Sequence, residues 1–413
     1  MSKLTMTAAV ITGAVLGAAG LAACGSSTST GASGSATQVA DHSPLHIMQI
    51  LPPGNFGLGL LNQGTQAAVD DINAHGGIGG HPVKLDICYD GAPESDPNST
   101  AQCAKQAVSS HEVALVGTFT AFSQDLYPVI QPASIPNISA VMIDPADYTS
   151  PLAFALAPNG DSVLTGVGIA LGQAGCKKAA FLTPDAGASA AFVGAFAAGA
   201  KWAGASVAPA VTVPATQADF APTIAQFVSE GVDCIGYNMG GQSAAAFLAA
   251  IKSSGHSFRL AATTAQLSSA QIAQFGHQLN GTLLVGPFYP RAFDTAGQRN
   301  ALTDMKKYQG VTAPVDLQIA AWAAVMTFAE AARNVVAADQ SVTAMAVTKA
   351  LDSLRNGGAD IEAPLDYAKP GPSALPRIRG FDEFVERISD GARVPVSRTP
   401  ISTLAAEQKY HQF

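Results

Sequence analysis

Two hydrophobic rhythms alternate along this chain: short apolar runs of strand length, and longer stretches whose apolar positions recur every three or four residues. Residues 45–51 (LHIMQIL) form the first run. The loop Pro52-Pro53-Gly54-Asn55-Phe56-Gly57 follows, then a helical stretch that stops at His75-Gly76-Gly77. Val83, Leu85 and Ile87 alternate with Lys84, Asp86 and Cys88, which predicts a strand over 83–89. Asp96-Pro97 then supplies a cap and a first-turn proline for the helix bearing Cys103. The rhythm continues with a strand over 113–119, a helix from Ser123, a strand over 136–143 and a short apolar crossing segment at Phe154-Ala155-Leu156. At Lys177 the pattern restarts, with strands over 178–183, 206–213, 233–238, 259–264 and 282–289 and helices between the first four. A long helix from Leu317 to Asn334 closes the series, and in its apolar stripe only Glu330 is polar. Strands alternating with helices predict an α/β protein of two doubly wound, parallel-sheet lobes.

Composition agrees with two folded bodies: 413 residues, 48% of them hydrophobic, suffice for two cores. Lys and Arg number 22 against 30 Asp and Glu, with no basic run, so nucleic acid is not an expected partner. Gly76-Gly77-Ile78-Gly79-Gly80 follows a helix and precedes a strand, the reverse of a phosphate-cradling loop, and reads as a turn. No HExxH, GxSxG or Walker-type run occurs, and the histidines at 42, 46, 75, 81, 111, 256, 277 and 411 have no metal-ligand spacing. Neither catalysis, a cofactor nor a metal is expected.

The amino terminus changes the picture most. Lys3 precedes an apolar, small-residue run ending Leu21-Ala22-Ala23-Cys24-Gly25, with no acidic residue before Asp41. Residues 1–23 are expected to be a secretory signal peptide. Leu21 to Cys24 resemble the bacterial lipobox, which implies acylation of Cys24. Residues 24–44, rich in Ser, Thr, Gly and Ala, are then a flexible linker from a lipid anchor on the outside of the cell membrane. The four remaining cysteines, Cys88, Cys103, Cys176 and Cys234, are an even number in an exported chain, so disulfides are expected, and the sequence leaves three pairings open.

Residues 63–91, QGTQAAVDDINAHGGIGGHPVKLDICYDG, resemble the opening of type I periplasmic binding proteins of the branched-chain amino acid (leucine/isoleucine/valine) class of ABC transporters. Residues 177–201 resemble the first strand and helix of that family's second lobe, and residues 317–334 a late helix of its first lobe. The resemblance implies three connections between lobes, near Ala157 to Asp161, Gly286 to Arg291 and Glu362 to Arg377. Lobe 1 would comprise 45–157 and 290–362, lobe 2 would comprise 158–289 and 363–413, and the pairings Cys88–Cys103 and Cys176–Cys234 would each stay within one lobe. Ligand would bind between the lobes at the carboxyl ends of the strands.

Carried over position by position, Phe119-Thr120-Ala121-Phe122-Ser123 corresponds to the loop that cradles a ligand carboxylate, with Thr120 and Ser123 as donors. Met142, Ile143 and Asp144 correspond to a second pocket loop. Where the family has an aromatic residue and an ammonium-pairing acid this chain has Ala188 and Thr263. An amino-acid ammonium group therefore lacks its usual partner, unless Asp144 or Asp185 supplies one. Phe56, Tyr237, Asn238, Gln266 and Tyr289 complete the expected pocket. The implied function is capture of a small molecule, an amino acid or a related apolar or carboxylate compound, by a monomer that delivers it to a transporter permease. A sensory receptor is the alternative, and an enzyme on the same scaffold is less favoured.

Overall fold

A computed structural model describes residues 42–53, 60–91, 96–157, 160–185, 189–267 and 269–410. The expected signal peptide, Cys24, Phe56 and Ala188 lie outside the described residues. The first run of elements is β1 (Leu45–Leu51), α1 (Leu61–Ala74), β2 (Val83–Tyr89), α2 (Pro97–Ser109), β3 (Ala114–Thr118), α3 (Ser123–Ile130), β4 (Asn137–Ser139), α4 (Pro145–Thr149) and β5 (Ala153–Ala155). Its strands form a parallel sheet in the order β2-β1-β3-β4-β5. Leu45 and Ile47 enter one core and Met48 and Ile50 another, so β1 is buried on both faces, as a sheet with helices on each side requires.

The chain then passes to α5 (Gly160–Gln173), β6 (Lys178–Pro184), α6 (Ser189–Trp202), β7 (Ser206–Val207), β8 (Val211–Val213), α7 (Ala221–Ser229), β9 (Cys234–Tyr237), α8 (Gly241–Ser254), β10 (Arg259–Thr263), α9 (Ser269–Phe275) and β11 (Leu283–Gly286). It returns to the first sheet with α10 (Ala296–Gln309), α11 (Asp316–Ala337) and α12 (Ala344–Asp352), and ends on the second with β12 (Asp382–Ser389), β13 (Ala392–Pro395), β14 (Ile401–Ser402) and α13 (Leu404–Tyr410). The second sheet runs β13-β12-β11-β10-β9-β6-β7. It is parallel from β6 to β11 and antiparallel where β12 joins. α11 is buried along nearly its whole length, and Trp322 within it donates to Asp304 at 2.9 Å. α5 and α6 touch backbone to backbone: a Cβ on Gly199 would fall 1.9 Å from the Thr165 carbonyl oxygen.

Several expected elements differ. The strand over 206–213 is two short strands, both parallel to β6, broken at Pro209, which has no N–H to donate to a ladder. The 136–143 strand ends at Ser139, because Asp144 and Pro145 cap and start α4. The apolar segment at 154–156 is not a bare crossing: Ala153 to Ala155 pair with β4 as the edge strand of the first sheet. Leu375, Ile378 and Phe381, expected with the second lobe, pack in a core of the first sheet, and Arg377 donates to the Ala153 carbonyl. Apolar spacing alone cannot tell which of two similar sheets a loop covers. Both expected disulfides are present, Cys88–Cys103 and Cys176–Cys234. No helix among the described residues is long and apolar enough to cross a membrane.

Candidate ligand-binding site

In the first sheet the strand order turns at β1, whose neighbours β2 and β3 lead in opposite directions; in the second it turns at β6, between β9 and the β7–β8 pair. Crevices for ligands open at the carboxyl ends of strands at such points. Phe119 to Ser123 leave β3 at the first, and Asp185 and Asn238 follow β6 and β9 at the second. The ladder between β3 and β4 shifts register between Val116 and Thr118, and Gly117 takes a left-handed φ of 59° there. Buried Gln49 fixes this bulge, donating to the Gly117 carbonyl while accepting from Thr65. The bulge re-aims the loop that follows it.

The expected donors in that loop are partly engaged. The Thr120 hydroxyl accepts from the Phe122 N–H and lies 3.2 Å from the Thr100 hydroxyl, which donates to buried Asp90 at 3.1 Å. Ser123 is buried against Asp147. Burial pushes the Asp147 carboxyl up to about 6, opposed by hydrogen bonds from Tyr127 and Ser123. Ala121 is exposed and Phe122 half-buried, while Phe119 packs against Leu51 and Leu61. Asp144 is a helix cap: it accepts from the Ala146 N–H at 2.8 Å and from the Gln124 N–H, in the first turn of α3, at 3.4 Å. Its carboxylate thus serves two helix starts of the chain itself.

Met142 and Tyr237 do not reach an edge. Met142 is fully buried in the first-sheet core, and Tyr237 is fully buried in the second against Phe247, its hydroxyl without a hydrogen-bond partner among the described residues. Tyr237 is the last residue of β9 and shares the core-facing side of the strand with Ile235, whereas Met142 lies three residues past the end of β4 and is buried by the segment that leads into α4. Asn238 and Gln266 do come together, Gln266 donating to the Asn238 side-chain oxygen at 2.7 Å. Asp185 is exposed and Thr263 half-buried at the end of β10. Tyr289 belongs to a passage between the sheets: its ring packs on Phe293 and Phe384, and its N–H donates to the Ile361 carbonyl.

Two further features were not foreseen. Ile143 and Phe192 of α6 converge on Gly160, where an added Cβ would lie 3.8 Å from each, so a loop of the first sheet and a helix of the second approach at the same passage. Phe192 is a half-buried aromatic in the first turn of α6, three residues past Ser189. On another side, Arg393 of β13 reaches Asp316 at the start of α11 at 3.1 Å and Glu386 at 2.7 Å through its Nε, while Arg291 holds the other Asp316 oxygen at 3.3 Å. Burial alone would raise the Asp316 carboxyl, but Arg393 and Arg291 hold it below the usual carboxylate range. Cavities of about 530 and 480 Å³ lie elsewhere, between α11 and α12 and beside β11 and β12, and the strand-end loops line neither.

Two α/β sheet layers, joined by three chain passages and offering strand-end loops at both turning points, define a binding protein of the two-lobed kind. The chain belongs to the periplasmic binding protein family, whose model matches residues 53–369, and the fold is that of type I members. Solved structures with the same fold include the leucine-, isoleucine-, valine-, threonine- and alanine-binding protein of Brucella ovis in its closed conformation (TM-score 0.72, 16% identity, covering 88% of this chain and 96% of that one). A solute-binding protein of an ABC transporter from R. palustris in complex with 4-hydroxybenzoate has TM-score 0.70 and 17% identity, covering 87% and 97%. A fatty acid ABC transporter substrate-binding protein from Thermomonospora curvata has TM-score 0.69 and 13% identity, covering 89% and 95%. No curated protein matches the sequence.

Proposed function

We propose that this protein captures a small carboxylate-bearing or apolar solute between its two sheets, outside the cell membrane, and delivers it to an ABC transporter while tethered through acylated Cys24. The observation that carries this reading is the meeting of first-sheet and second-sheet elements at a passage, Ile143 and Phe192 at Gly160, beside the turning points of both sheets. Apolar walls from Ile143, Phe122 and Phe192, with the Asn238–Gln266 amide pair and the Phe119–Ser123 backbone as polar groups, suit a small ligand. The names of the solved relatives support a carboxylate as the common element: 4-hydroxybenzoate, a fatty acid and amino acids.

Among these, acids without an amino group fit best. Thr263 offers no charge to an ammonium group, the Asp144 carboxylate already accepts from two backbone N–H groups, and Asp185 is exposed to water that weakens any pairing. Thermal denaturation with 4-hydroxybenzoate, benzoate, a medium-chain fatty acid and leucine tests the reading. Ligand at 100 times its Kd stabilises by about 2.7 kcal/mol. The largest shift is expected from one of the first three. A largest shift from leucine would refute the ammonium reasoning, and no shift or binding heat from any small solute would remove the capture role. Release of a Cys24→Ser variant into the medium is the corresponding check on the tether.

A further inference from the structure

We propose that His46, Asp86 and Glu112 form a binding site for a divalent transition-metal cation, zinc being the best fit, toward the amino-terminal end of β1 and away from the strand-end loops. One ligand atom from each of the three lies within 4.8 Å of the others, and His46 Nδ1 is 3.4 Å from an Asp86 carboxylate oxygen. Three neighbouring strands bring them together. His46 is on β1, Asp86 on β2 beside it, and Glu112 just precedes β3 on the other flank, where the Val113 N–H donates to the His46 carbonyl. The first two are 40 residues apart in sequence, so no ligand spacing betrays the site.

The second observation is Glu112 itself. It is 2% exposed, its carboxyl faces that of Asp86, and no backbone or basic side-chain donor reaches either of its oxygens among the described residues. Buried carboxylates are ordinarily hydrogen-bonded or paired with a cation. Lys84 does not fill that role: it is mostly exposed and reaches the other Asp86 oxygen, at 3.2 Å. The Glu112 N–H donates to the Ala107 carbonyl, which places the carboxyl end of α2, a helix with no basic residue in its last turn, next to the cluster. That end of the helix favours positive charge. One imidazole with two carboxylates is a donor set for zinc and its neighbours rather than for calcium, which prefers oxygen alone. Zinc bonds are about 2.0–2.2 Å, and the side chains of His46 and Asp86, each about a third exposed, have room to close onto an ion. Without a cation the two carboxyls can relieve their repulsion by sharing a proton, and burial with the facing Asp86 charge pushes Glu112 up to about 8.

The full chain, stripped with chelator, is titrated with ZnCl2 by calorimetry, and its Tm is read with and without zinc. The wild type is expected to bind one zinc at this site with a rise in Tm, and calcium to produce none. Glu112→Gln keeps the shape and can still donate to Asp86 as the protonated acid does, so it folds about as well without metal; it and His46→Ala are expected to weaken zinc binding by about tenfold or more. His42 and His81, whose rings are 6.1 Å apart, are the competing surface pair. The double variant His42→Ala/His81→Ala is expected to retain the site. No zinc binding by the wild type, wild-type affinity in Glu112→Gln, or loss confined to the His42/His81 variant would each overturn the proposal. In those cases the cluster is a proton-sharing pair only.

Discussion

Replacing Arg393 with Met removes a side chain that joins β13 of the second sheet to α11 of the first, while keeping much of its apolar bulk. Two charge-assisted contacts go, to Asp316 at 3.1 Å and to Glu386 at 2.7 Å. Glu386, 3% exposed, is left without its cation, whereas Asp316 keeps Arg291. Removing one partner of a fully buried ion pair costs about 3–5 kcal/mol. Arg393 is about a quarter exposed, and one acid retains a partner, so the loss should be about 2–3 kcal/mol. At about 2–4 °C per kcal/mol for chains of moderate size, Tm should fall by about 4–12 °C at pH 7. Calorimetry of Arg393→Met, Glu386→Gln and the double variant reads this directly. The double variant should lose less than the sum of the singles, by about 1 kcal/mol or more. A Tm within about 1 °C of wild type, or strict additivity, would show that the bridge contributes nothing and that the passages alone hold the sheets in register.

Glu383 is fully buried beside Glu407 and Asp382 with Ser162 as its hydrogen-bond partner, and desolvation raises its carboxyl well above the usual range. A raised carboxyl is protonated in the fold and ionised in the unfolded chain at neutral pH. Its stabilisation is complete below the ordinary glutamate value of about 4.3 and is lost as pH rises through the folded value. Glu383→Gln should therefore gain Tm relative to wild type between pH 5 and pH 8; a constant difference across that range would contradict the burial argument. Tyr237→Phe deletes a buried hydroxyl that has no partner among the described residues, so stability should stay within about 0.5 kcal/mol of wild type or rise, with ligand affinity unchanged. A loss of affinity on that change would place the hydroxyl in the site instead.

Strand and helix rhythm and the family were legible because each rests on local pattern: alternation in 83–89, the Asp96-Pro97 helix start, the Asp71-to-Ile78 turn; the two disulfide pairs came only with the family resemblance. What stayed hidden depends on contacts between distant residues. Whether Phe154 lies in a crossing or an edge strand is decided by β4, and whether Leu375 covers the first or second sheet is decided by the core beneath it. The site suffered most from core packing beside the loops, through strand parity at Tyr237 and through a buried connecting segment at Met142, and from side chains already engaged, as Asp144 is by two helix starts. Phe192 carried a weak signal, an aromatic in the first turn of a helix after a strand end. His46, Asp86 and Glu112 carried none.

The chain's double return also governs how the molecule can be made. The first sheet is complete as a ladder by Ala155, yet the helix that covers it, with Trp322 and Phe328, is synthesised only after the whole parallel part of the second sheet. That second sheet, in turn, awaits β12 to cover β11. A chain emerging amino terminus first therefore has no finished half until nearly its last residues are out, and contacts of such long range form slowly. The delay keeps the polypeptide threadable, which suits the export proposed above.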